Sequence, residues 1–397
     1  MSTTPLHSQD QDNRRIADIE FLRAVAILFV LVFHSRRELI AWPMPLLDHI
    51  LDDYVNFWPG VDIFFAVSGF VIARSLIPSL QACVSAQERI RVMMRFWIRR
   101  VWRLLPAAWL WLGLIVLASA VLNRSGAFEP FHVNFESAIA GMLSLANVRF
   151  AQLFPFKPYG PSSPYWSLSL EEQFYLVLPL LVIVARHRLV LVLAAAVAIV
   201  FCLPQTGLLG TFRVHAILLG VLLAIFSRHP AYRLLEPTAL GGSAFARWGT
   251  LGLILLFLAA LAPLGQKIVP FSFDVIALLS AALVFIASFD RDYLCRASWL
   301  KPIMLWIGSR SYAIYLVHLP IYCLTREIWF RLSPPDTVFG GSDALLFVAT
   351  AAPLVLISAE LNYRFVETPG RRYGIRLTSL AKEAPVEAAE APVEAVA

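Results

Sequence analysis

The 397 residues are 59% hydrophobic and only 15% charged, too little charge for a soluble domain of this size. The formal net charge of +6 does not point to nucleic acid, because basic loops are the ordinary orientation signal of a membrane protein. The four cysteines, Cys83, Cys202, Cys295 and Cys323, show no CxxC or metal-like spacing, so neither disulfides nor a metal site is expected.

Several apolar runs reach the roughly 20 residues needed to cross hydrocarbon. The reading is an all-α fold, a polytopic transmembrane helix bundle of about ten spans. Residues 1–15 are polar and read as a disordered cytoplasmic N-terminus. No small-residue cleavage site follows the first apolar run, which therefore reads as a retained anchor and not as a signal peptide. The spans fall at about 18–35, 60–80, 104–122, 167–185, 189–204, 212–227, 248–265, 271–289, 305–326 and 343–361. Arg14 and Arg15, the run from Arg89 to Arg100, Arg186 and Arg188, Arg228 to Arg247, Arg291 to Lys301, and Arg364 to Arg376 then fall on one side. That side is read as the cytoplasm, with both termini in it. Residues 134–150 lie in the longest outer loop and read as an interfacial or re-entrant helix. The domain is placed at 16–376. Residues 377–397, with APVEA twice, read as a disordered acidic tail.

The first span, "EFLRAVAILFVLVFHS", holds Arg23 and His34. Eleven residues apart, they fall within about 20° of one helix face and roughly 16 Å apart along the axis. Ionisable groups at such depth usually mark function, although snorkelling and end capping are the bland alternative. Histidine suits proton abstraction near neutral pH. Asp18 precedes them, nearer the cytoplasmic end.

"GVDIFFAVSGFVIARS" opens the second span with Asp62, which either binds solute or caps the helix. Its Ser68–Gly69 pair reads as packing of span two against span one. In "RFWIRRVWRLLPA", Trp97 and Trp102 read as interfacial aromatics, and Arg100 and Arg103 share a helix face. A positive-inside belt accounts for the earlier arginines, but Arg103 sits where the apolar run begins, and arginine forks bind phosphate bidentately. "PYWSLSLEEQFYLVLPLL" carries Trp166, Ser167, Glu171 and Glu172. The two carboxylates point about 100° apart, so at most one faces a given partner squarely. Tyr315, His318 and Tyr322 form one stripe of a later span, either structural or lining a cavity. GxSxG, Walker and HExxH patterns are absent, and the eight histidines form no metal site.

Taken in order, "IADIEFLRAVAILFVLVFHS", "GVDIFFAVSGFVI", "RRVWRLLP", "WSLSLEEQFYLVLP", "GSRSYAIYLVHLP" and "RFVETP" resemble the motifs of the membrane-bound acyltransferase-3 family, which O-acylates carbohydrates and other hydroxylated acceptors. The resemblance covers roughly residues 16–373. It implies that His34 and Arg23 belong to the catalytic centre, that Arg100 and Arg103 hold the donor, and that Glu171 is the acid of the WSLxxE element. Asp18, Asp62, Trp166, Ser167, Glu172, Tyr315 and His318 complete the expected substrate-binding set. Some members carry a C-terminal extracytoplasmic SGNH domain, where this sequence has a short acidic tail. The expected reaction moves a short acyl group such as acetyl from acyl-CoA to a hydroxyl of a carbohydrate or glycoconjugate. It needs no permanently bound cofactor, no metal and no nucleic-acid partner, and it belongs in the plasma membrane (the bacterial inner membrane). The alternative is a transporter or flippase in which Arg23, His34 and Glu171 bind solute or relay protons, and a non-catalytic relative is a third reading.

Overall fold

A computed structural model describes residues 16–153, 156–203, 210, 212–268, 271–294, 296 and 299–383. Among the described residues the chain is all-helical, with no strand. The helices are α1 (Ala17–His34), α2 (Pro45–Asp53), α3 (Gly60–Gln81), α4 (Ala86–Val121), α5 (Phe131–Met142), α6 (Ala146–Leu153), α7 (Tyr165–Ala185), α8 (Leu189–Cys202) and α9 (His215–Phe226). They continue with α10 (Ala231–Leu234), α11 (Ala239–Gly242), α12 (Ala244–Ile268), α13 (Ser272–Ala287), α14 (Leu300–Ser309), α15 (Ser311–Leu332), α16 (Ala344–Asn362) and α17 (Thr368–Glu383).

Nine of the ten expected apolar segments each overlap one of these helices, and the expected span 305–326 is divided at Arg310 between α14 and α15. Among the described residues five helical stretches are long and apolar enough to cross a membrane by length and composition: Gly60–Gln81, Ala86–Val121, Tyr165–Cys202, Ala244–Pro263 and Gly341–Ser379. His215–Phe226 and Ser272–Ala287 are apolar but shorter. In α1, the charges of Asp18, Glu20 and Arg23 dilute the apolar run.

One buried apolar core runs from Ile19 to Ala359. Helices α3 and α9 approach closely within it. A Cβ on Gly69 would run into the Ile217 carbonyl, and one on Gly220 into the Ala66 carbonyl. Two glycines facing each other's helix let the backbones touch. This corrects the reading of Ser68–Gly69 as packing against the first span: Gly69 serves α9, and α1 instead meets Gly60, whose Cβ position lies 2.6 Å from the Ala26 carbonyl.

Helix α4, at 36 residues, is about 54 Å long and overshoots a hydrocarbon core of roughly 30 Å. Ser85 and Glu88 start it with a capping box: the Ser85 hydroxyl accepts from the Glu88 N–H at 3.1 Å, and the Glu88 carboxylate accepts from the Ser85 N–H at 3.2 Å. The overshooting end packs against α17. Arg99 donates to the Thr378 hydroxyl at 2.8 Å, and the rings of Trp102 and Tyr373 meet at 4.4 Å. Residues 377–383 continue helix α17. The remaining tail, 384–397, and the N-terminal 1–15 lie outside the described residues.

The outer-loop segment forms α5 and α6, of 12 and 8 residues, broken at Ser144, which has φ +56°. Each is too short to span hydrocarbon.

Candidate active site

Helices α1, α3, α4, α7 and α15 enclose a cavity lined by Arg23, Ser68, Arg100, Arg103, Ser167, Glu171, Tyr175 and Tyr315, among others. Six residues picked out from separate motifs thus converge on one space: Arg23, Arg100, Arg103, Ser167, Glu171 and Tyr315. Arg23 donates through Nε to the Ser311 hydroxyl at 3.2 Å and lies 3.7 Å from Glu20. Arg100 lies over the rings of Phe96 and Tyr175, at 5.4 and 5.2 Å. The Arg103 Nε is buried with no hydrogen-bond partner among the described residues. Glu171 accepts hydrogen bonds from the hydroxyls of Ser68 and Tyr175, which are themselves 3.0 Å apart. Three guanidinium groups against this single lining carboxylate leave the cavity electropositive, a setting that attracts and holds an anion.

At the other end, the hydroxyls of Ser167 and Tyr315 lie 2.6 Å apart and within 3.0 and 3.1 Å of the Pro164 carbonyl. With one hydrogen each, one hydroxyl donates to the carbonyl while the other donates to its neighbour. From Tyr315 the aromatic contacts lead away from the cavity. Its ring is 5.6 Å from that of His318, which is 5.0 Å from that of His34. The Nε2 of His318 lies 3.2 Å from the Nδ1 of His34. Arg23 and His34 therefore follow one face of α1, but only Arg23 is among the residues that line this cavity. His34 sits beyond it, paired with His318.

The remaining expected site residues lie elsewhere. Asp18 is buried and accepts from the backbone N–H groups of Tyr293 and Leu294, at 2.9 and 3.3 Å, so it pins the loop after α13 to α1 instead of reaching the cavity. Asp62 is buried 3.5 Å from Arg213. Trp166 helps to enclose that arginine: the guanidinium lies 4.6 Å from the ring of Trp58 and 5.2 Å from those of Trp166 and Phe273. Glu172 turns away from Glu171, as adjacent helix positions must. It accepts from the Ser144 hydroxyl at 2.6 Å and faces a second cavity, whose wall of Arg100, Leu104 and Tyr175 is shared with the first. Trp97, expected at an interface, donates to the Tyr175 carbonyl at 3.0 Å and lines that second cavity.

Ser68, Tyr175, Ser311 and Arg213 are the polar members that sequence reasoning passed over or took for packing. Tyr175 was within reach, because it stands four residues after Glu171 and so on the same face. Arg213 and Ser311 carry no such signal, since their partners are distant in sequence. Among the described residues no group of three or more His, Cys, Asp or Glu side chains is placed to hold a metal ion.

A family model described as an acyltransferase domain matches residues 16–359. The chain belongs to the acyltransferase-3 family. It is 30% identical to the putative peptidoglycan O-acetyltransferase YrhL of Bacillus subtilis (strain 168) over 400 residues, 94% of this chain and 57% of that protein. Identity to the peptidoglycan O-acetyltransferase OatA of Listeria monocytogenes is 28% over 384 residues, 90% of this chain and 56% of that protein. A putative O-acetyltransferase of Staphylococcus aureus (strain COL) matches at 26%, covering 95% of this chain and 60% of its own length. The chain thus spans somewhat more than half the length of these relatives. No solved structure matches it.

Proposed function

We propose that this acyltransferase-3 chain is a multi-pass plasma-membrane O-acyltransferase. It moves a short acyl group, acetyl in the simplest case, from cytoplasmic acyl-CoA to a hydroxyl of a carbohydrate or glycoconjugate. The names of the relatives make peptidoglycan the first acceptor to try. The observation that carries the proposal is the gathering of Arg23, Arg100, Arg103 and Glu171 on one cavity inside a helical bundle, with a histidine pair past its far end.

In this reading ten helices cross the membrane and both termini are cytoplasmic. The excess of arginine on that side supports it. So does the pairing of basic residues on the opposite side with local acids, Arg36 with Asp48 and Arg149 with Glu136. Coenzyme A phosphates dock at the arginine end, where Arg100 and Arg103 offer forked donors. Glu171 holds Tyr175 beneath Arg100 and offsets part of the positive charge. The thioester reaches into the bundle while the acceptor approaches from the His34 end. His34 takes the proton as the hydroxyl oxygen attacks the thioester carbonyl. Arg23, roughly 16 Å back along the same helix face, positions the pantetheine arm. The C–S bond then breaks, and the leaving thiolate takes the proton from the His34 imidazolium. Asp62, held by Arg213 and buried, shapes the wall and does not touch substrate.

The test is purified protein in detergent given labelled acetyl-CoA and a mixed pool of sugar and glycan acceptors. Labelled ester on an acceptor supports the proposal. Release of the label into no acceptor, together with solute uptake by proteoliposomes, would replace it with the transporter reading.

A further inference from the structure

His34 and His318 form a hydrogen-bonded pair whose proton positions follow from their other partners. His318 Nδ1 lies 2.7 Å from the Tyr315 carbonyl oxygen, and His34 Nδ1 lies 3.0 Å from the Val30 carbonyl oxygen. A carbonyl oxygen only accepts, so both Nδ1 atoms must carry the hydrogen. A neutral imidazole has one N–H, which leaves both Nε2 atoms bare. The bare Nε2 of His318 then sits 3.2 Å from the Nδ1–H of His34 and is its second acceptor. One nitrogen of the pair keeps an uncommitted lone pair, and it is Nε2 of His34.

His318 is well placed to hold this arrangement. It is fully buried, and its ring meets Tyr315 on one side and Tyr322 on the other. Tyr322 in turn donates to the Leu31 carbonyl at 3.2 Å, which ties α15 to the last turn of α1 beside His34.

We propose that His318 is a positioning residue for His34. It shares the Nδ1–H of His34 with the Val30 carbonyl, helps to hold the tautomer that presents Nε2 as the basic atom, and accepts a strengthened hydrogen bond when His34 becomes imidazolium. This rests on the reading of His34 as the general base. The logic is that of any imidazole whose reactive nitrogen is set by what the other nitrogen binds. Neutral hydrogen bonds strengthen when the donor is charged, so the pair stabilises the protonated intermediate more than the resting state.

The experiment compares His318→Leu, which removes the acceptor, with His318→Gln, whose amide oxygen reaches the place of Nε2. Two quantities are read: kcat with donor affinity on acetyl-CoA, and the ¹⁵N spectrum of histidine-labelled protein without substrate, assigned with His34→Gln. The leucine variant should lose on the order of tenfold to a hundredfold in kcat at unchanged donor affinity, and the glutamine variant should recover most of it. The resting spectrum should show the Nδ1–H tautomer at both histidines, with the His34 signal displaced in His318→Leu. Wild-type turnover by His318→Leu overturns the proposal, as does a glutamine variant no better than the leucine one. If the leucine variant fails to fold, an Nε2–H tautomer at His34 in the wild-type spectrum still overturns it. Failure of the base reading looks different: His34→Ala would keep transferring whatever the spectrum shows.

Discussion

Arg100 lies over the ring of Tyr175, and the hydroxyl of that tyrosine is held by the carboxylate of Glu171 one turn back on the same helix. The cation, the ring and the carboxylate form one stack on the wall between the two cavities. Removing the tyrosine hydroxyl should loosen Glu171, while removing the ring should release Arg100. Tyr175→Phe is therefore expected to keep donor affinity within a few fold, and Tyr175→Leu to weaken it further, since cation–π contacts of this kind are worth about 0.5–2 kcal/mol. Isothermal titration with acetyl-CoA measures both. Equal affinities would mean that the ring does not hold the arginine.

Arg100→Ala and Arg103→Ala should weaken donor binding more than they lower thermal stability. The buried Arg103 Nε has no hydrogen bond to lose among the described residues. Arg100→Lys should rescue only in part, because an ammonium cannot fork onto phosphate or lie flat on a ring. Unchanged donor affinity in both alanine variants would reduce these arginines to an orientation belt.

His34→Ala should cost about 10²–10⁴-fold in transfer rate while donor binding survives. His34→Gln keeps size and hydrogen bonding but cannot take a proton, so it should fail equally. Activity should fall on acidification as His34 becomes imidazolium, which is no base, and the limb should vanish from the residual activity of His34→Gln. Near-normal rates from the glutamine variant would rule His34 out as the base.

Gly69→Leu should destabilise the fold by about 1–3 kcal/mol or prevent insertion, because the added side chain meets the Ile217 backbone and not a movable side chain. Gly113→Leu, where a Cβ meets nothing within 4 Å, is the matched control and should be tolerated. Thermal denaturation in one detergent compares them. Equal melting temperatures would show that α3 and α9 can separate without cost.

Topology reporters fused after Gly126 and after Arg233 should report opposite sides, the first outside and the second in the cytoplasm. Signals from one side only would end the ten-span arrangement.

Local composition and helical periodicity determined a good deal by themselves. An all-helical fold and the positions of most apolar segments follow from runs of hydrophobic residues, which any membrane helix must have, whereas the break at Arg310 inside the expected span 305–326 does not. The Arg100–Arg103 face, the divergence of Glu171 from Glu172, and the shared face of Arg23 and His34 follow from 100° per residue, a property of one helix alone. What no single helix contains is the choice of partner across the bundle. The α3–α9 contact depends on two glycines about 150 residues apart, Gly69 against Ile217 and Gly220 against Ala66, and Ser68 gains its role only because Glu171 and Tyr175 come to it from α7. Asp18 and Asp62 look like candidates for chemistry in sequence, as buried carboxylates do. The fold commits the first to the backbone of a distant loop and places the second beside Arg213. The same holds for His318: its spacing put it on a stripe with Tyr315 and Tyr322, but only the packing of α15 on α1 set its Nε2 against His34. Hydrogen bonds between helices depend on distances of about 3 Å between residues far apart in sequence, and those distances are decided by how the helices pack.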